Sequence, residues 1–472
     1  MKPSRGGLFR PHSHPMRAIS SLCAFLVLAV TAAGQTTIRH HESASQGERF
    51  GGAVSSLGDV NGDGFVDYGV VALAGESGAG SGGVVYVYSG WEGGSLRVHT
   101  GGQGAQEFGL SLGTVGDLDG DSVDDYAIGD PASMIEGAAL GRVYLYSGAT
   151  GTELGSYQGY SALSRFGEAL ASLGDVNGNS VPDFVIGVPG DDAAGSSAGA
   201  VQVMDGESSS PIWSAQGADS GNRFGASLAP MEDVNGDGVR DLIVGSPLAD
   251  GLGGVNCGVV QILSGSDGTV LLNTGGLADG DQFGTSVCGL GDWDGDGLSD
   301  FAVGASQADG SGSASGTVSV HSSADGAVLF SMSGTASGDN LGEAIANAGD
   351  VNWDGAIDLI VGIPGEDGGA PNTGAIVVLS GNDGAVLVDF IGTMAFGRLG
   401  SSVAGLGRVD YDQYSDFAFG TDGASIVSGE AWVLSEHIND PPALVDDDIT
   451  TEEDTPVVFN PLDNDSDHDG WV

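Results

Sequence analysis

The stretch "DVNGDGVRDLIVGSP", Asp233 to Pro247, packs acids and glycines into nine residues and then turns abruptly apolar. Positions one, three, five and nine of the loop (Asp233, Asn235, Asp237 and Asp241) offer side-chain oxygens, and position seven, Val239, offers a backbone carbonyl. Glycines at positions four and six permit the positive φ angles that curl a backbone around an ion. Hard oxygen donors in this number suit Ca²⁺, which takes about six to eight of them. Position two is apolar in every copy, which predicts an anchor into the core.

The loop belongs to a repeat. Its first residue recurs at Asp59, Asp117, Asp175, Asp233, Asp292, Asp350 and Arg408, in steps of 58, 58, 58, 59, 58 and 58. A period of this kind signals a repeat architecture. Within one period, "FGASLAPMED" alternates into a first strand, "DLIVGSP" reads as a buried second strand and "GVVQILSG" as a third. The tight turn "SDG" leads into "TVLLNTGG", a fourth. Four short antiparallel strands with no helix between them make one propeller blade. The expectation is an all-β, seven-bladed β-propeller of four-stranded antiparallel blades.

Ring closure is also written in the sequence. The seventh copy ends after its third strand, "EAWVLSE", Glu430 to Glu436. "TTIRHH" begins at Thr36, fourteen residues before Phe50, as the fourth strand "TVLLNT" begins at Thr269, fourteen before Phe283. The N-terminal strand is therefore predicted to complete blade seven and remove an exposed sheet edge.

Nine residues before each loop stands an aromatic or Leu followed by Gly, from Phe50-Gly51 to Leu399-Gly400, and each loop leads into an apolar strand ending in Gly and usually Pro. This pattern resembles the FG-GAP repeat, and the array over 35–438 is similar to the seven-bladed β-propeller of integrin α-subunit heads. The resemblance implies calcium in the acidic loops, with the aspartate at position nine as a ligand that closes the cage. It also implies adhesion or ligand binding by loops on one face.

The copies differ in charge. Repeats two and five carry four carboxylates each, Asp117, Asp119, Asp121 and Asp125, and Asp292, Asp294, Asp296 and Asp300, with Val123 and Leu298 at position seven. They are expected to bind most tightly. Repeats one, four and six hold three carboxylates and an asparagine: Asp59, Asn61, Asp63 and Asp67 with Phe65; the loop quoted above; and Asp350, Asn352, Asp354 and Asp358 with Ala356. Repeat three keeps Asp175 and Asp183 beside Asn177, Asn179 and Val181, and is expected to be weakest. Trp353 stands where repeat six should have glycine. In repeat seven Arg408 replaces the first aspartate and Tyr411 the glycine. There the guanidinium is expected to pair with Asp410, Asp412 or Asp416 in place of an ion. Five or six Ca²⁺ sites are thus expected, with none in repeat seven. Asp, Asn and Gly dominate ordinary turns too, but six copies with donors at the same positions favour ion binding.

Composition narrows the function. The chain has 64 acidic against 13 basic residues, for a net charge of −51, and beyond residue 34 its cations are nine arginines and no lysine. A phosphate backbone would be repelled, so no nucleic-acid partner is expected. Residues 1–34 hold a basic start, the apolar run Leu22 to Val30 and small residues at Ala32 and Gly34, the pattern of a secretory signal peptide, with Met16 as a second candidate start. That run is too short to cross a bilayer, and no membrane span is expected. Cys257 and Cys288 leave two readings open, one bridge or two thiols. "GSSAG" at Gly195 to Gly199 spells a nucleophile elbow but lies in a Gly/Ser-rich loop before a strand. No catalytic set assembles from the scattered histidines, so no enzyme is expected. Residues 439–472 resemble a linker and the start of a bacterial cadherin-like or Ig-like repeat.

The expected function is a secreted or cell-surface calcium-binding propeller for adhesion or ligand binding, with an extracellular protein or glycan as partner. The alternatives are a non-catalytic accessory module of an extracellular hydrolase and a structural spacer of a bacterial surface adhesin. The loops between second and third strands, such as "ALAGESGAGSGG" and "SQADGSGSASG", are the expected binding surface.

Overall fold

The computed structural model describes residues 36–435 apart from 44–47, 74–81, 103, 209, 413 and 424–428. The expected signal peptide (1–34), the cadherin-like segment (439–472) and most of "ALAGESGAGSGG" lie outside the described residues.

Seven four-stranded antiparallel sheets follow one another along the chain. Blade four consists of Ser227–Met231, Asp241–Ser246, Val259–Leu263 and Val270–Gly275, hydrogen-bonded in that order. Each strand's composition follows from its depth. Second strands such as Asp241–Ser246 and Asp358–Ile363 are buried along their whole length between neighbouring blades, hence their continuous apolar runs. Fourth strands such as Ser95–Thr100 and Pro211–Gln216 have water on one side and alternate accordingly. First strands from all seven blades line a central cavity of about 610 Å³. Blade two adds a small hairpin, Met134–Ile135 with Ala138–Ala139.

Glycine pairs set the blade spacing. Gly167, in a Phe-Gly pair, has φ +89°, and a Cβ there would lie 2.7 Å from Val143 Cγ2 of the preceding blade. A Cβ on Gly187, in the second strand, would come 2.3 Å from the Gly225 carbonyl of the next blade. Blade seven meets blade one in the same way, with Gly420 against the Gly51 carbonyl at 2.1 Å. The Ser402 hydroxyl also donates to Gly51 O at 2.7 Å, as Ser286 does to Gly342 between blades five and six. One apolar cluster spans that seam, joining Phe50, Tyr68 and Val70 to Leu406, Val409 and Val433.

The N-terminal strand, Thr36–Glu42, pairs antiparallel with Glu430–Ser435 and is the outer strand of blade seven. Its contacts repeat those of blade one's fourth strand, 58 residues on. Arg39 donates to the carbonyls of Gly90 and Trp91, as Arg97 does to Gly148 and Ala149. His41 bonds the Tyr68 hydroxyl at 2.7 Å, as His99 bonds that of Tyr126 at 2.6 Å.

Cys257 and Cys288 are both buried free thiols, which excludes the bridge. No helix among the described residues is long and apolar enough to cross a membrane.

Candidate metal centres

Each acidic loop joins the first two strands of its blade, and hydrogen bonds to its own side chains hold its shape. The carboxylate at position one gathers backbone N–H groups from positions four to six: Asp59 accepts from Gly62, Asp63 and Gly64, and Asp292 from Gly295, Asp296 and Gly297. The side-chain oxygen at position five accepts the N–H of position seven in all six loops, at Phe65, Val123, Val181, Val239, Leu298 and Ala356. Positions four and six need positive φ, and glycine usually supplies it. Ser122 and Ser180 reach 70° and 72° at position six, and Trp353 reaches 57° at position four, so repeat six keeps the turn despite its tryptophan.

Position two anchors the loop, and its target is the seam with the following blade. Val60 packs among Tyr126 and Ile128 of blade two, Val351 among Phe417 and Phe419 of blade seven, and Val409 against blade one.

Position nine is the buried end of the cage. Asp67, Asp125, Asp183, Asp241, Asp300 and Asp358 are fully buried. One oxygen of each accepts the N–H of position two and the other an N–H of the turn between third and fourth strands. For Asp125 these are Leu118 N at 2.8 Å and Gly148 N at 2.9 Å. This second bond was not legible beforehand, because its donor stands 23 residues downstream. Burial pushes the Asp67 carboxyl up to about 7 and those of Asp125 and Asp358 up to about 6, and raises Asp183, Asp241 and Asp300 as well. An ionised carboxylate here carries a desolvation penalty that a nearby cation offsets.

The structure gathers positions one, three and nine. In repeats two and five, oxygens of Asp117, Asp119 and Asp125, and of Asp292, Asp294 and Asp300, lie within 4.8 Å of one another. In repeats one, four and six, where position three is asparagine, its amide donates to the neighbouring acids: Asn61 to Asp67, Asn235 to Asp237 and Asp241, and Asn352 to Asp354. Position five lies outside the clusters of repeats two and five, and beyond the position-three amide it also looks to the turn between third and fourth strands. Asp237 accepts from the hydroxyls of Ser264 and Ser266, Asp354 from that of Ser380, and Asn179 donates to Asp205. The donor set is all oxygen, pre-curled and anionic, and it fits a hard divalent cation.

Loop seven departs from the expectation for Arg408. Its Nε donates to the backbone carbonyl of Asp412 at 2.9 Å, and among the described residues it forms no ion pair with Asp410, Asp412 or Asp416. Tyr411, at position four, lacks the positive φ of the other loops and lies edge-on to Phe65 and Trp91 of blade one, with centroids 4.7 and 4.3 Å away. Oxygens of Asp410, Asp412 and Asp416 nonetheless lie within 4.8 Å of one another, with the buried Asp416 carboxyl well above its ordinary range. The guanidinium braces the turn; it does not neutralise these acids.

Comparison with known proteins follows the same lines. The FG-GAP repeat model matches residues 166–204, 224–263 and 283–321. Integrin alpha-PS2 of Drosophila melanogaster is 35% identical over 172 residues, covering 32% of this chain and 12% of that protein. Integrin alpha-V of Gallus gallus is 30% identical over 226 residues, covering 43% of this chain and 21% of that protein. The chain thus spans about an eighth to a fifth of the length of these relatives. Among solved structures, BBS1N in complex with ARL6DN superposes with a TM-score of 0.52 over 85% of this chain and 96% of that one, at 9% identity, a likeness of fold alone. The FG-GAP repeats, the integrin α relatives and the seven four-stranded blades together support an integrin-like β-propeller.

Proposed function

We propose that this chain is a calcium-stabilised, extracellular propeller that binds a protein or glycan partner through the face opposite its acidic loops. The observation that carries the reading is the recurrence of one oxygen-lined loop at the same end of six blades, with positions one, three and nine converging wherever all three are acids. Ions here clamp hairpins and leave the other face free for recognition. The antiparallel order of the strands puts the connections between second and third strands, and those between blades, at that other face. Large apolar side chains stand exposed on them: Tyr160, Leu163, Leu252, Val255, Leu277 and Phe396. Loops on a rigid scaffold are where binding residues concentrate, and exposed apolar groups give such loops something to bury against a partner. The resemblance to integrin α heads implies the same use.

Calcium held by the folded ring alone adds about 2.7 kcal/mol per site at a hundredfold excess over Kd. The test is thermal unfolding in EDTA and in Ca²⁺, followed by arrays of glycans and matrix proteins probed with the calcium-loaded chain. A large rise in melting temperature with Ca²⁺, and a ligand whose capture falls when Leu252 and Leu277 become serine, are expected. Identical melting after chelation would overturn the calcium reading, and unchanged capture by the serine variant would overturn the assignment of the binding face.

A further inference from the structure

We propose that His40, Glu42 and Glu430 form a site for a transition-type divalent ion such as Zn²⁺, which clasps the N-terminal strand to blade seven where the ring closes. Strand register brings the three together. His40 and Glu42 are two apart on one strand and share a face. Glu42 pairs directly with Glu430, and His40 with Trp432. All four side chains therefore project from the same side of the closing pair.

The imidazole is held in place by stacking on Trp432, with centroids 3.7 Å apart and planes 19° from parallel. His40 Nδ1 lies 3.7 Å from Glu42 Oε1, and Nε2 lies 3.9 Å from Glu430 Oε2. One ligand atom from each of the three residues falls within 4.8 Å of the others. Ligands around a tetrahedral ion at about 2.0–2.1 Å stand roughly 3.3 Å apart, so small rotamer changes close the set.

Charge calls for a cation here. Two glutamates face each other across an antiparallel pair, an arrangement that destabilises a sheet, and Glu430 is largely buried, with 14% of its side chain exposed. Among the described residues no arginine forms an ion pair with either glutamate; their common partner is His40. The nitrogen donor separates this site from the all-oxygen loops, since imidazole with carboxylates suits Zn²⁺ and its neighbours better than Ca²⁺. The fourth position is left to water.

The experiment uses the full chain in excess Ca²⁺, titrated with Zn²⁺ by calorimetry and with Co²⁺ followed by visible absorption. One equivalent should bind despite the Ca²⁺, with tetrahedral Co²⁺ bands, and should raise the melting temperature. His40→Phe keeps the stack on Trp432 while removing the nitrogen ligand, and Glu430→Gln keeps the shape while removing the charge. Each should weaken Zn²⁺ binding at least tenfold and abolish the thermal shift. Unaltered Zn²⁺ affinity in either variant, or no Zn²⁺ uptake in excess Ca²⁺, would overturn the proposal. Zn²⁺ uptake that disappears in Asp119→Asn with Asp294→Asn, but persists in His40→Phe, would assign the metal to the acidic loops and overturn it equally.

Discussion

Asp125 and Asp119 sit in the same cage and do different work. Asp125 is fully buried and holds two backbone N–H groups, one from its own loop and one from the turn that closes its blade. Asp119 is exposed and faces the place where an ion would sit. Replacing Asp125 by Ala leaves two buried donors unsatisfied, which costs about 2 kcal/mol or more whether or not metal is present. Replacing Asp119 by Ala removes no comparable bond, so its effect in EDTA should stay within about 0.5 kcal/mol. In Ca²⁺ the second variant should forfeit the stabilisation contributed by that site. Urea unfolding of both variants, with and without Ca²⁺, checks the pair. If Asp119→Ala is as unstable as Asp125→Ala in EDTA, the division between scaffold and ligand is wrong.

At the scale of the element, two edge strands carry the same device 58 residues apart. His41 on the N-terminal strand is stacked on Tyr88 and bonded to Tyr68, and His99 on the fourth strand of blade one lies against Tyr146 and bonds Tyr126. Burial lowers both imidazoles to about 4 from an ordinary 6.5, with neighbouring cations adding to the effect. The unfolded chain therefore binds more protons than the folded one between these values. The stability from the neutral rings is complete above pH 6.5 and is lost as the pH falls toward about 4. In Ca²⁺-saturated protein the double variant His41→Phe, His99→Phe should melt with a flatter pH profile over that window, although its level at pH 7 is lower. Parallel profiles for variant and parent would contradict this. The strands themselves were legible in advance, since continuous apolar runs mark the buried second strands, alternation marks the fourth, and the fourteen-residue spacing before Phe50 locates the closing strand. What the sequence did not disclose depends on residues far apart along the chain. The second donor to each position-nine aspartate comes from a turn about 23 residues away, Tyr411 is placed by Phe65 and Trp91 of another blade, and His40 meets Glu430 through ring closure alone. The acid spacing located the loops, but it could not foresee that Asp237 and Asp354, at position five, turn toward serines of the neighbouring turn.

For the whole molecule the governing quantity is charge: of the chain's net −51, residues 36–435, which form the ring, carry 52 acids against nine arginines, or −43. Its few cations are already engaged. Arg49, Arg165, Arg223 and Arg398 pair with acids across blade boundaries, and Arg39 and Arg97 hold backbone carbonyls of the next blade. None of these six neutralises an acidic loop, and of the remaining three only Arg240 and Arg408 lie in one, so most loops on that face repel one another unless cations come from solution. Repulsion between exposed charges is screened by salt, with a Debye length falling from about 30 Å at 0.01 M to about 8 Å near 0.15 M. The melting temperature in EDTA should therefore climb steeply as NaCl rises through that range, and the calcium-loaded chain, whose loops are already compensated, should respond much less. Because Na⁺ screens without fitting the cage, saturating salt should recover only part of what Ca²⁺ gives. Equal salt responses in the two forms would mean that the acids are spread widely enough to tolerate one another, and that the loops owe their shape to backbone hydrogen bonds alone.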